Sequence, residues 1–156
     1  MALRKIVTDE DALLRKVSRE VGTPNDRTRA LLDDMIDTLR DAEGVGLAAP
    51  QVGILRRIFI INVGIEEDRE EYVEFIDPVI LETSGEQDGA EGCLSVPGRQ
   101  GNVKRPDVVK VEATDRNGKR FTYTGTGLMA RCLCHEYDHL DGILYVDKAY
   151  EMDDDE

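Results

Sequence analysis

Three observations predict an α+β fold in a single domain. An amphipathic helical pattern comes early in the chain. A run of short apolar and alternating segments follows it. A second helix then closes the pattern and carries the only two histidines, His135 and His139. At 156 residues the chain has room for one core. The order suggests mostly antiparallel strands packed around a central helix that bears an H-E-x-x-H pattern. The domain is expected to span 1–147, with 148–156 as an acidic C-terminal tail.

Each element has a local reason. Thr8 can cap a short helix from Asp9 to Val17, with Asp11 as a capping-box partner. A longer helix is predicted from Asp26 to Arg40. There Leu31, Leu32, Met35, Ile36 and Leu39 recur on one face, and Asp and Arg fill the wet face. Gly44 and Gly46 are expected to end it. The period then changes. Arg57 to Val63 reads as an apolar strand, residues 66–71 as a charged hairpin loop, and Tyr72 to Leu81 as a strand whose Pro78 suits an edge or a bend. Val108 to Asp115 alternates, Asn117-Gly118 turns the chain, and Arg120 to Thr124 returns. The last helix is expected to start near Thr126, whose hydroxyl can cap it, and to end near Gly142. Ile143 to Val146 reads as a short strand, and Met152 to Glu156 as a frayed end.

Composition narrows the function. The net charge of −13 argues against holding nucleic acid by neutralising its phosphates. No apolar stretch approaches the length of a membrane span. The start of the chain meets Asp9, Glu10 and Asp11 rather than an apolar signal core. A cytoplasmic setting is expected. Three cysteines cannot all pair internally, so at least one is expected to serve a metal or the packing.

His135 and His139 lie one turn apart on one helical face, where both imidazoles can grip a metal ion. Glu136 between them can act as general base on metal-bound water. Such a site usually has a third protein ligand. The longer pattern H-E-x-x-H-x-x-G-x-x-H matches through Gly142 and then fails, because position 145 is Tyr. The glutamates after His139, Glu151 and Glu156, stand in the tail. The third ligand should therefore lie upstream. Cys132 sits two turns from His139, about 10.5 Å along one straight axis. Cys134 points off the histidine face. Both read better as packing cysteines, although Cys132 can line a pocket beside the metal. Cys93 remains, in Glu91-Gly92-Cys93-Leu94-Ser95, where Gly92 permits close approach and Pro97-Gly98 suggests a turn. A thiolate on such a loop can complete the site. A buried structural cysteine is the other reading. In Gly44-Val45-Gly46-Leu47-Ala48-Ala49-Pro50-Gln51, Pro50 argues against a dinucleotide fingerprint. The segment reads as a small-residue strand or loop lying close to something, with Gln51 as a fixed donor.

The three segments together resemble the motifs of the peptide deformylase family: G-x-G-x-A-A-x-Q, E-G-C-x-S and H-E-x-x-H, in that order. The resemblance implies that Cys93, His135 and His139 bind the metal, with Glu136 as acid and base. It also implies that Gln51 and the backbone N–H of Leu94 hold the formyl oxygen. The implied reaction removes formyl from the N-terminal formylmethionine of nascent polypeptides and releases formate. The implied metal is Fe²⁺, for which Zn²⁺, Ni²⁺ or Co²⁺ can substitute. Partners would be N-formylmethionyl peptides and nascent chains, with a transient ribosome contact and neither membrane nor direct nucleic-acid binding. Val45, Leu128 and Cys132 are candidates for the slot that takes the methionine side chain, with Gly46 and Gly92 beside the peptide. The family usually has Gln where this chain has Cys134, and the C-terminal helix of many bacterial members is expected to be missing or vestigial. Arg131 reads as a rim residue or a solvated one. Asp138 with Arg105 reads as support behind the site or as a surface salt bridge.

Overall fold

The structure, a computed structural model, describes residues 2–154. Its regular elements are α1 (Asp26–Ala42), β1 (Gly46–Ala48), β2 (Ile58–Asn62), β3 (Tyr72–Ser84), β4 (Gln87–Cys93), β5 (Val96–Arg105), β6 (Val108–Thr114), β7 (Arg120–Thr126), α2 (Leu128–Leu140) and β8 (Glu151–Asp154). One sheet has five strands in the order β1-β2-β3-β6-β7, and a second has the order β4-β5-β8. Every strand pair is antiparallel. The fold is α+β, as the sequence predicts.

The run Ile58-Phe59-Ile60-Ile61 is buried throughout because β2 is covered on both faces. Ile58 and Ile60 pack with Leu31, Leu32, Met35 and Leu39 of α1. Phe59 and Ile61 face the other way, packing with Phe75, Val111 and the Met129, Ala130 and Leu133 side of α2. Burying each such side chain contributes about 1.5–3 kcal/mol. The sheet thereby sets α2 at a fixed depth.

The N-cap of α1 is Asn25, whose side chain accepts from the Thr28 amide at 3.0 Å while the Thr28 hydroxyl accepts from Asn25 N–H. The helix runs past Arg40 to Ala42. It stops on Glu43 in the left-handed region (φ 56°), so the expected stop at Gly44 and Gly46 is replaced, and Gly46 opens β1.

Several expectations are corrected. The predicted helix from Asp9 to Val17 is only a 3-10 turn at Ala12–Arg15, capped by Asp11 rather than Thr8. The reason is tertiary. The amides of Val7, Asp9 and Ser18 donate to the carbonyls of Gln51, Ser95 and Leu140 at 2.7, 2.8 and 2.8 Å, and so hold the segment extended. Of the two readings for Pro78, an edge or a bend, the bend holds and the edge does not, since Pro78 lies in the middle strand of the five. A bulge absorbs it, with Asp77 at φ 48° and a register shift between Ile76 and Val79. Thr126 ends β7 and caps nothing; Gly127 precedes α2 without a side-chain cap. Residues 143–146 form no strand, and a 3-10 turn at Tyr145–Asp147 stands there. The tail is not frayed over its described part, because β8 pairs with Arg99–Asn102 of β5. Asp155 and Glu156 lie outside the described residues.

The largest departure is the hairpin β4–β5. Its first strand, Gln-Asp-Gly-Ala-Glu-Gly-Cys, has little apolar period, and its extended form follows from pairing with β5. The turn is Leu94-Ser95, between the paired Cys93 and Val96, while Pro97 and Gly98 lie inside β5. Cys93 is thus held at a strand end, not on an open loop.

The C-terminal exit of α2 generates a test. Gly142 has φ 74°, and a Cβ there would strike the Arg15 carbonyl. Gly142→Ala is expected to cost at least about 1–3 kcal/mol. Urea unfolding of metal-free protein at fixed pH checks it, and an unchanged midpoint would refute this account of the exit.

Candidate metal centre

The end of β4 and one face of α2 meet between the two sheets. There the Cys93 Sγ and the ring nitrogens of His135 and His139 all lie within 4.8 Å of one another. Cys93 Sγ is 3.4 Å from His139 Nε2. A tetrahedral ion with Zn–N and Zn–S bonds of ordinary length sets its ligand atoms about 3.3–3.8 Å apart, so this donor set fits a metal. Neither Cys132 nor Cys134 joins such a group among the described residues.

Second contacts orient the imidazoles. The Glu91 carboxylate accepts from His135 Nδ1 at 2.6 Å, which leaves Nε2 of that ring for a ligand. It also accepts from Arg105 Nε and Nη2 at 3.1 and 2.7 Å and from Arg131 Nη1 at 2.7 Å. Burial alone would raise its pKa. The bonds from His135 and Arg105 outweigh burial and hold it down at about 2. Arg105 continues to Asp138 at 2.8 Å, and Lys148 reaches Asp138 at 3.0 Å. The Arg105–Asp138 pair is therefore buried support rather than a surface bridge. Arg131 is neither at the rim nor solvated: it is 6% exposed and paired with Glu91. Burial, and then the neighbouring His135, hold His139 well below the ordinary imidazole range, which favours the neutral form a metal requires. Its Nδ1 is buried without a partner, so packing fixes this ring.

Gln51 is fixed from both ends. Its Oε1 accepts from the Ala48 amide at 2.9 Å, which turns the NH₂ toward Ser95 Oγ (3.1 Å) and Cys93 Sγ (3.5 Å). Glu136 is buried, its Oε1 has no partner, and its Oε2 lies 4.0 Å from His135 Nε2. Burial raises its carboxyl to about 7. A methyl on Gly46 would come within 2.8 Å of Glu136 Oε2, so β1 needs a glycine there. Here the small-residue segment lies close to a carboxylate.

A cleft of about 350 Å³ opens onto these groups. The sequence candidates Val45, Gly46, Gly92, Leu128 and Cys132 line it together with Gln51, Cys93, Leu94, His135 and Glu136, whereas His139 is buried and not among its lining residues. Burial raises the Cys132 thiol, keeping it protonated. Cys134 packs into the core with Leu133 and Leu140. Sequence reasoning assigned no role to Glu91, Ser95 or the buried side of Arg131. Glu91 had a readable signal: a carboxylate two residues from a candidate thiolate, in a site with histidines to orient.

The polypeptide deformylase family matches residues 3–155 of the chain. A peptide deformylase of Alkaliphilus metalliredigens is 53% identical over 148 residues, covering 95% of this chain and 97% of that protein. One from Acetivibrio thermocellus is 52% identical over 157 residues, covering 100% of this chain and 89% of its own. The crystal structure of a peptide deformylase from Legionella pneumophila superposes with a TM-score of 0.89 at 46% identity, over 94% of this chain and 86% of that one. A structure from Ehrlichia chaffeensis in complex with actinonin gives 0.90 at 37% identity, over 95% and 89%.

Two outcomes follow from the electrostatics. Glu91→Ala takes the acceptor from buried Arg131, leaves Arg105 with Asp138 alone, and frees His135 Nδ1. It is expected to cost about 3–5 kcal/mol by chemical denaturation, and a loss below 1 kcal/mol would count against the network. Glu136 titrates near 7 folded and near 4.5 unfolded, so the unfolded state gives up its proton first. Stability of the metal-free protein then falls as pH rises from 4.5 through 7. Glu136→Gln should be the more stable protein at pH 8 by about 3 kcal/mol and nearly equal at pH 4. Parallel pH–stability curves for the two proteins would overturn the assignment.

Proposed function

The chain belongs to the polypeptide deformylase family, and from that membership we propose how its own residues remove the N-terminal formyl group of nascent polypeptides. The observation that carries the reading is the convergence of Cys93, His135 and His139 with Glu136 and Gln51 at one partly apolar cleft.

Cys93, His135 and His139 would hold the metal. When bound, it supplies a Lewis acid that polarises the formyl oxygen and acidifies water. We take Fe²⁺ as the physiological ion; the same thiolate and imidazole donors suit Zn²⁺, Ni²⁺ and Co²⁺. Glu136 accepts a proton from the attacking water and returns it to the leaving amine nitrogen. A carboxyl near 7 can do both at neutral pH. As charge grows on the formyl oxygen, the Gln51 NH₂ and the Leu94 N–H donate to it. Gln51 is suited to this because the Ala48 amide fixes which end of the side chain faces the site. Val45, Leu128 and Cys132 form the slot for the methionine side chain. Gly46 and Gly92 let the peptide backbone lie close. The setting proposed is the cytoplasm, on chains emerging from the ribosome, with a transient ribosome contact. No helix among the described residues is long and apolar enough to cross a membrane.

The test is formate release from a formyl-Met peptide by protein loaded anaerobically with Fe²⁺. Glu136→Ala is expected to lose about 10²–10⁴-fold in kcat while keeping its metal, and Cys93→Ser to lose the metal itself. No formate from the loaded, unsubstituted protein would sink the proposal. Metal content unchanged by Cys93→Ser would shift the ligand role to another residue.

A further inference from the structure

We propose that Arg131 sets the specificity of the side-chain slot, and that it admits methionine sulfoxide as well as methionine at the N-terminus of the formylated substrate. The proposal rests on reading the cleft as the methionine slot.

Arg131 stands on α2 one turn before His135 and lines the cleft with Leu128 and Cys132. Its side chain is 7% exposed. Only part of the guanidinium is used. Nη1 donates to Glu91 Oε2 at 2.7 Å, Nη2 is buried with no acceptor, and Nε makes no hydrogen bond among the described residues. A guanidinium cannot shed a proton to escape this, because it stays charged at any working pH. Nor can Glu91 take more, because its two oxygens already accept four bonds, from His135, Arg105 and Arg131. Gly89 of β4 lies against Nη2, and a Cβ there would be only 3.4 Å from that nitrogen, so the absence of a side chain leaves the guanidinium room to turn.

An unsatisfied, charged donor at an otherwise apolar slot calls for a ligand with an acceptor near its tip. A norleucine chain offers none. The thioether of methionine is a weak acceptor, and the sulfoxide oxygen is a strong one. The sulfoxide is a little longer and more polar than the thioether, and an all-apolar slot would reject it. Here a small turn of the guanidinium would bring its oxygen N–H groups that the protein itself leaves unpaired. Removing Arg131 need not disorder the site, because Glu91 keeps both bonds from Arg105 and the one from His135.

The experiment compares kcat/KM for three formylated peptides that differ only at the first residue: methionine, methionine sulfoxide and norleucine. Unsubstituted metal-loaded protein is expected to use the sulfoxide within about ten-fold of methionine. In Arg131→Met the sulfoxide-to-norleucine ratio should fall by about ten-fold or more, the loss of one charge-assisted bond. Arg131→Gln, which keeps an N–H donor, should retain part of that ratio. A purely structural role would lower all three substrates together and leave the ratio alone; that result overturns the proposal. So does failure of the unsubstituted protein to turn over the sulfoxide peptide while it deformylates the methionine one. Should the Arg131 variants not fold, the unsubstituted protein's sulfoxide-to-norleucine ratio decides, and a ratio below about one tenth rejects the idea. Failure on all three peptides falls on the deformylase reading itself.

Discussion

The centre of this molecule is organised by one buried carboxylate. Glu91 accepts from His135, from Nε and Nη2 of Arg105 and from Arg131. A lone carboxylate at that depth would be too costly to ionise. Three donor side chains make it affordable and hold it charged. The same bonds fix the tautomer of His135, tie the second sheet to α2 through Arg105 and Asp138, and draw Arg131 out of solvent. An ion cluster of this kind adds little net stability against apolar packing, yet breaking it is expensive. Its value is geometric: it sets where one imidazole nitrogen points.

The rest of the scaffold holds the other groups to the same tolerance. β2 is packed on both faces, so α1 and α2 cannot slide over the sheet without opening one core or the other. The extended N-terminal segment clamps three places at once through the carbonyls of Gln51, Ser95 and Leu140. Those are the turn that carries the fixed amide, the turn after Cys93 and the end of the histidine helix. A segment whose regular structure is one 3-10 turn thus braces all three motif-bearing regions.

Within this frame, two carboxyls beside the same imidazole, that of His135, behave oppositely. Glu91 is ringed by donors and stays ionised; Glu136 is buried with one oxygen unpartnered and is pushed up to about 7. Environment, not residue type, divides the roles of orienting charge and proton carrier. The cleft shows the same economy, since Cys132 is kept protonated by burial while Cys93 stands among ring nitrogens.

Much of this was legible in the residues. The faces of α1, the apolar β2, the β6–β7 hairpin and the one-turn spacing of His135 and His139 follow from local periodicity, and periodicity survives in any fold that buries those faces. The motif order pointed to Cys93 and Gln51 as partners of the histidines. What the sequence could not determine was everything whose hydrogen bonds are made far along the chain. β4 is polar and glycine-rich, and it is a strand only because β5 pairs with it. β8 is ordered because β5 offers an edge fifty residues away in sequence. The first twenty residues lost their expected helix to the carbonyls of Gln51, Ser95 and Leu140. Arg131 looked like a surface residue until Glu91, forty positions earlier, came beneath it. Local pattern decides which face of an element is apolar; only the folded chain decides which distant donor meets which acceptor, and here that pairing makes the site.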